Sequence, residues 1–371
     1  MQHHRTPWGL MAALYACGLL AAGQFAKVSL SLVPLAQVYP GAPVAFAVSG
    51  VAVMGILFGV LSGGITASVG PRRAILWALG ISALAGAAQA ALPAFPILMA
   101  LRVVEGAGHL LLVVAVPTLM AALAADKDRA FVMGIWATFF GVGFSLAALV
   151  IGGAGPARVF ASHGAMAAAL GLLLWIMLPR GVTTDRRPLP RLSDHVTIYT
   201  TPRLFAPGLG HGIYAFMFLA LVTYLPAALS APWLFPVLPV AGLTGSLLTG
   251  PLARRIEPGR LVWGGFLTLV ILFALTMLAG PLAPYVAILA MALSGVVAGA
   301  GFAAVPWLNP TNTDRALANG ALAQLGNIGT FGGTPVLAAL GLSAALPMAM
   351  VVGLVGMTLT ALAYRAAVRR L

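Results

Sequence analysis

Long apolar runs recur along the whole chain, each cut short by a proline, a glycine or a cluster of arginines. A helix needs roughly 20 mostly apolar residues to cross the hydrocarbon core of a bilayer. Cutting at the breaks gives about twelve such runs, at 8–34, 43–66, 74–92, 95–123, 131–154, 161–178, 204–228, 232–252, 261–280, 284–308, 316–340 and 344–365. The division is least sharp between Pro156 and His163, where two runs nearly touch. The pattern predicts an all-α membrane protein.

The polar residues between the runs set an orientation, because Lys and Arg concentrate on the cytoplasmic side. With both termini inside, the cytoplasmic set is Arg5; Arg72 and Arg73; Lys127 and Arg129; Arg180, Arg186, Arg187, Arg191 and Arg203; Arg254, Arg255 and Arg260; Arg315; then Arg365, Arg369 and Arg370. The opposite side keeps Arg158. The longest polar segment, 180–203, follows the sixth run and reads as a cytoplasmic linker between helical bundles at 1–179 and 204–371.

Composition agrees with this reading. The 371 residues are 61% hydrophobic and 7% charged, with a mean hydropathy of +1.03, against about 25% charged in soluble domains. The net charge of +13 does not point to nucleic acid, since the basic residues lie in short loops. Cys17 is the one cysteine, so there is no internal disulfide or cysteine metal cluster. The His3-His4 pair reads as a terminus, and the run from Trp8 as a retained first span with no clear cleavage site. No His-x-x-x-His pair, G-x-S-x-G elbow or G-x-x-x-x-G-K-[ST] loop occurs, so neither catalysis nor a cofactor is expected.

Two runs carry charge. Leu98 to His109 reads LMALRVVEGAGH, with Arg102, Glu105 and His109 on one helical face. A charge at the centre of a membrane helix costs roughly 2.5–3.5 kcal/mol on insertion scales, and such residues usually have partners and a function. The competing reading is an Arg–Glu pair that only locks the bundle. Gly106 and Gly108 would let a neighbouring helix approach closely. Lys27 sits in the first run, sharing a face with Gln24 and Ser31, at a depth similar to that of Arg102. It either faces the interior or snorkels to the surface.

An internal echo follows. Gly63 to Arg73 reads GGITASVGPRR, and Gly250 to Arg260 reads GPLARRIEPGR, 187 residues later. Equivalent loops on one side of the membrane imply a parallel repeat. Glycines there permit tight turns and close packing, and arginines can meet helix C-termini.

The spans, the central loop and the repeated loop together resemble the major facilitator superfamily of secondary transporters. Against its loop motif G-x-L-x-D-R-x-G-R-R, residues Gly63, Ile65, Gly70, Arg72 and Arg73 fit, while Ala67 and Ser68 hold the Asp-Arg positions. The second copy keeps Gly250, Leu252 and Arg255, has Arg254 at the acidic position, and runs one residue long before Gly259 and Arg260. Of the fourth-span motif R-x-x-Q-G-x-G, Arg102, Gly106 and Gly108 match and Glu105 replaces the amide. The fifth span has Gly134, Gly143, Gly152 and Gly153, similar to the family's drug/proton antiporters, but Ala147-Ala148 stands where these have Gly-Pro. The eleventh, Asn319 to Pro335, is similar to that of many bacterial members.

The resemblance implies twelve helices in two six-helix bundles, with the first, fourth, seventh and tenth spans lining a central cavity. Candidate substrate-binding residues are then Gln24, Lys27, Arg102, His109, His211, Tyr214, Gln324 and Asn327, with Glu105 for proton coupling. His211, Tyr214 and Phe218 share a face of span seven, with inter-helix hydrogen bonding as the alternative role; Gln324 and Asn327 are weaker candidates, since buried amides often glue helices. Candidate gating residues are Gly63, Gly70, Arg72, Arg73, Gly250, Arg254 and Arg255. Trp307, Asn309, Asn312 and an Asp314-Arg315 pair look like an anchor and a cytoplasmic turn.

The expectation is a monomeric carrier of the inner membrane with cytoplasmic termini. It moves a small solute by alternating access, and any uphill transport uses an ion gradient. Two cations against one carboxylate lean toward a small organic anion, with protons as coupling ion. The alternatives are a proton-driven efflux antiporter for neutral or cationic compounds, and a non-transporting receptor or scaffold with a transporter fold.

Overall fold

The computed structural model describes residues 5–180 and 192–369. His3, His4, Arg186, Arg187, Arg191 and Arg370 lie outside the described residues. The first half holds α1 (Trp8–Ser29), α2 (Leu32–Val38), α3 (Ala45–Ser49), α4 (Val53–Phe58), α5 (Ser62–Val69), α6 (Pro71–Ala90), α7 (Phe95–Leu123), α8 (Asp126–Ala137), α9 (Phe139–Ile151) and α10 (Pro156–Met177). The second holds α11 (Leu192–Thr200), α12 (Pro202–Ala228), α13 (Leu234–Ala253), α14 (Pro258–Leu278), α15 (Ala283–Leu308), α16 (Asn312–Leu340) and α17 (Ala345–Val368).

Among the described residues, nine helices are long and apolar enough to cross a membrane, and up to eleven if two bent pairs each count as one span. One pair, Ala45–Phe58 with Ser62–Val69, bends by 81°. Helix α16 is 29 residues long but carries Asn312, Thr313, Asp314, Arg315, Asn319, Gln324 and Asn327, and it is not among the nine.

Several boundaries differ from the sequence expectation. The first run ends as a helix at Ser29 and restarts at Leu32, so Lys27 lies in the last turn of α1. There its charge meets the negative end of the helix dipole. The helix of the sixth run, α10, starts at Pro156, not 161, with the proline in its first turn, where its missing N–H costs nothing. The linker segment carries helix α11 where a loop was expected.

The helices group into two compact units: Met1–Gly55 with Leu61–Leu189, and Ile56–Val60 with Pro190–Leu371. In the first unit, Leu14, Leu79, Leu112 and Leu119 belong to one core cluster built from α1, α6, α7, α8 and α10. A smaller cluster in the second joins Val60 and Ile198 to Leu204, Val305 and Leu322.

Of the repeated-loop glycines, Gly70 makes the tight turn between α5 and α6 with φ +86°, a conformation that favours glycine. Gly259 does not turn the chain. It lies in the first turn of α14, and a Cβ there would come within 2.7 Å of the Tyr364 ring, so contact and not backbone freedom selects it. Gly63 and Gly250 are exposed and helical.

Candidate functional site

The charged cluster lies wholly within the first unit. Lys27 from α1 and Arg102 and Glu105 from α7 are 1%, 0% and 0% exposed. Lys27 Nζ sits 2.5 Å from Glu105 Oε1, and Arg102 Nη1 2.5 Å from Glu105 Oε2. Gln89 Nε2 of α6 donates to the same Oε2 at 2.9 Å. Lysine snorkelling, one of the two sequence readings, is excluded by this burial and pairing.

Arg102 has more than one task. Its Nε donates to Ala47 O at 2.7 Å, and its Nη2 donates to Gln24 O at 2.7 Å and Val48 O at 3.3 Å. Ala47 and Val48 lie in α3, just before a 3₁₀ turn at Gly50–Ala52. Where a helix changes its pitch inside a membrane, carbonyls need other donors, and the guanidinium supplies them. Gly106 makes this approach possible, because a Cβ there would collide with the Val51 carbonyl. Gly108 likewise lets α7 close on α6, where a Cβ would stand 2.8 Å from Ala78 O.

Around this core is a ring of neutral polar groups. Gln24 donates through Nε2 to Ser82 Oγ at 3.0 Å, and its Oε1 lies 2.8 Å from His109 Nδ1. The His109 ring packs edge-on against Phe25. His163 of α10 brings Nδ1 within 3.4 Å of Lys27 Nζ and 3.7 Å of Glu105 Oε1, while Nε2 lies 3.1 Å from Leu20 O. Lys27 Nζ also stands 5.4 Å from the Phe160 ring centroid, in cation–π range. With the two cations protonated and Glu105 ionised, the cluster carries one formal positive charge in excess. A hollow of about 380 Å³ lies between α1, α9 and α10, with Lys27, Ser162 and His163 in a wall made mostly by apolar residues such as Leu146, Val150 and Met166.

Sequence reasoning missed His163, Gln89 and Ser82. Ser82 and Gln89 share α6, and His163 follows Ser162 on α10, so polar residues within apolar stretches were the available signal. Neither helix carries an acidic residue, so nothing tied them to Glu105.

The second-unit candidates have separate polar partners, although the His211 ring packs against α16, where a Cβ on Gly326 would stand 2.8 Å from it. His211 and Tyr214 are half-buried; the His211 ring lies 5.2 Å from Phe302 and 5.9 Å from Tyr214, and Tyr214 lies 5.2 Å from Phe218. His211 Nδ1 is buried without a hydrogen-bond partner. Gln324 bridges Tyr199 Oη (2.6 Å) and Ile56 O (2.6 Å), and Asn327 donates back to Ala323 O of its own helix.

Among the loop residues, Arg72 donates to Leu178 O at 3.3 Å and Trp175 O at 3.1 Å and stacks over the Trp175 ring. It thereby satisfies carbonyls that end α10. Arg73, Arg254 and Arg255 are exposed. Asp314 pairs with Arg203 at 2.8 Å, not with the adjacent Arg315, and Thr311 caps α16 by accepting from Asp314 N. The hydrogen bond from Arg203, helped by that from Thr311, holds the Asp314 carboxyl below its ordinary range. Among the described residues no group of His, Cys, Asp and Glu is placed to hold a metal ion.

The family model of the Major Facilitator Superfamily matches residues 14–334. No curated protein matches the chain. Among solved structures, a bacterial homolog to the human lysosomal transporter Spinster, in an inward-facing and unoccupied conformation, aligns with a TM-score of 0.75 at 16% identity, covering 97% of this chain and 96% of that one. The xylose transporter XylE from E. coli, in an inward open conformation, aligns with a TM-score of 0.76 at 16% identity, over 96% and 95%.

Proposed function

The chain belongs to the Major Facilitator Superfamily, and on that premise we propose that it is a proton-coupled secondary carrier of a small organic anion, working by alternating access. The observation that carries this reading is the excess positive charge of the Lys27–Arg102–Glu105 cluster, 0–1% exposed. Burying an uncompensated charge is costly, so a site with this excess favours an anion over a cation.

The bonding suggests a division of labour. Four acceptors hold Arg102, so it positions α1, α3 and Glu105. Lys27 has one acidic partner, and it is the cation we assign to the solute. A proton on Glu105 would release Lys27, while an anion would take the carboxylate's place beside it. Proton and anion then bind together without adding net charge. His163 touches both members of the pair and is assigned to hold Lys27 during that exchange. The same reading includes twelve spans, with α16 as one of them, an inner-membrane location, cytoplasmic termini and a monomeric unit.

The test is competition in proteoliposomes or against purified protein. Small organic anions should raise the melting temperature of the wild type, since a ligand that prefers the native state stabilises it. They should fail to do so in folded Lys27→Ala. Stabilisation by organic cations alone would replace this reading with that of an efflux antiporter.

A further inference from the structure

A second basic site lies in the second unit, far along the chain from the charged cluster. Where α14 begins and α15 and α17 end, a hollow of about 400 Å³ is lined by Arg260 and Trp263, by Trp307, and by Tyr364, Arg365 and Arg369. Glu257 also lines it and pairs with Arg260 at 2.9 Å. Arg365 and Arg369, four residues apart on one face of the helix end, have no acidic partner among the described residues. The site therefore carries an excess of two formal positive charges. Tyr364 is 4% exposed, and its hydroxyl is buried with no hydrogen-bond partner. A buried hydroxyl without a partner is costly unless something outside the chain supplies one.

We propose that this hollow binds the phosphate headgroup of an anionic phospholipid. Guanidinium groups meet phosphate oxygens in bidentate fashion, the Tyr364 hydroxyl donates to the same group, and Trp263 and Trp307 lie at the level where indoles favour the membrane–water boundary. Deeper along the same helices, Leu267, Phe302 and Leu362 are 39%, 54% and 57% exposed. Of these, Leu267 and Leu362, one turn from Trp263 and Arg365, offer acyl chains an apolar surface beyond the headgroup site, which a free phosphate would not use; Phe302 packs against His211 instead. Basic pockets between membrane helices hold acidic headgroups by this combination.

The test is native mass spectrometry of the full chain from nanodiscs containing phosphatidylglycerol or phosphatidylcholine, with inorganic phosphate as competitor. The wild type should retain phosphatidylglycerol over phosphatidylcholine. The double variant Arg365→Gln/Arg369→Gln should lose that preference by about thirtyfold. Both arginines are exposed, so folding is not at risk, and Tyr364→Phe, which removes only the hydroxyl, should also weaken retention. Arg180→Gln, an exposed arginine elsewhere, should retain the lipid like the wild type. Equal retention of both lipids, or unchanged retention in the double variant and in Tyr364→Phe, would overturn the proposal. Displacement by millimolar inorganic phosphate would overturn the lipid assignment in favour of a free-phosphate site.

Discussion

Glu105 accepts from three side chains, so its substitution reads the cluster most directly. Glu105→Gln strands two buried cations, and breaking a buried pair costs roughly 3–5 kcal/mol. Lys27→Ala leaves the Arg102–Glu105 pair intact and should lower the melting temperature less. Arg102→Lys keeps the charge but not the planar fork, and should destabilise almost as much as Glu105→Gln. A Lys27→Ala variant that melts lowest of the three would contradict the assigned roles. Asp314, in the first turn of α16 and ahead of the apolar run at 316–340, allows a pH test. Its folded pKa is lowered, so its contribution is complete above the unfolded value of about 3.9 and is lost as pH falls through the folded one. Asp314→Asn should therefore be less stable than wild type at neutral pH and converge with it in acid, as thermal melts across that range would show. The charges Arg102, Glu105 and Lys27 were legible because nothing else charged shares their apolar runs. His163 was not, since its partners arrive from α1 and α7 and no spacing along α10 announces them.

The turn between α5 and α6 depends on one residue. Gly70 has φ +86°, and a β-branched side chain there would be strained by about 1–3 kcal/mol. Gly70→Val should slow transport several-fold at equal expression while leaving ligand affinity near wild type. Normal flux would show that this turn takes no part in the cycle. Sequence pattern found α7 to the residue, because Pro96 and the polar stretch after Leu123 bound an uninterrupted apolar run. It did not find the 3₁₀ turn at Gly50–Ala52 that interrupts the second run. Apolar residues fill both sides of that break, and the donor that compensates its carbonyls is Arg102, on another helix. It also took Gly259 for a turn residue, when contact with Tyr364 selects it.

For the whole molecule, the family was legible from loop and fourth-span motifs, and the fold agrees with it over nearly the full chain. The span count was less so, since α16 carries polar residues along much of its first half. Topology reporters address it: fusions after Arg370 and near Arg187 should be cytoplasmic, and one between Tyr39 and Pro43 external. Termini on opposite faces would reject an even number of spans. The central claim, that protonating Glu105 frees Lys27 for the anion, is tested most directly by anion binding as a function of pH. The measurement compares wild type with Glu105→Gln, using the anion that stabilises the wild type most and material whose fold is checked by melting. Binding to wild type should vary with pH, and binding to Glu105→Gln should persist without that variation. A folded Glu105→Gln protein with the wild-type pH profile would contradict the account.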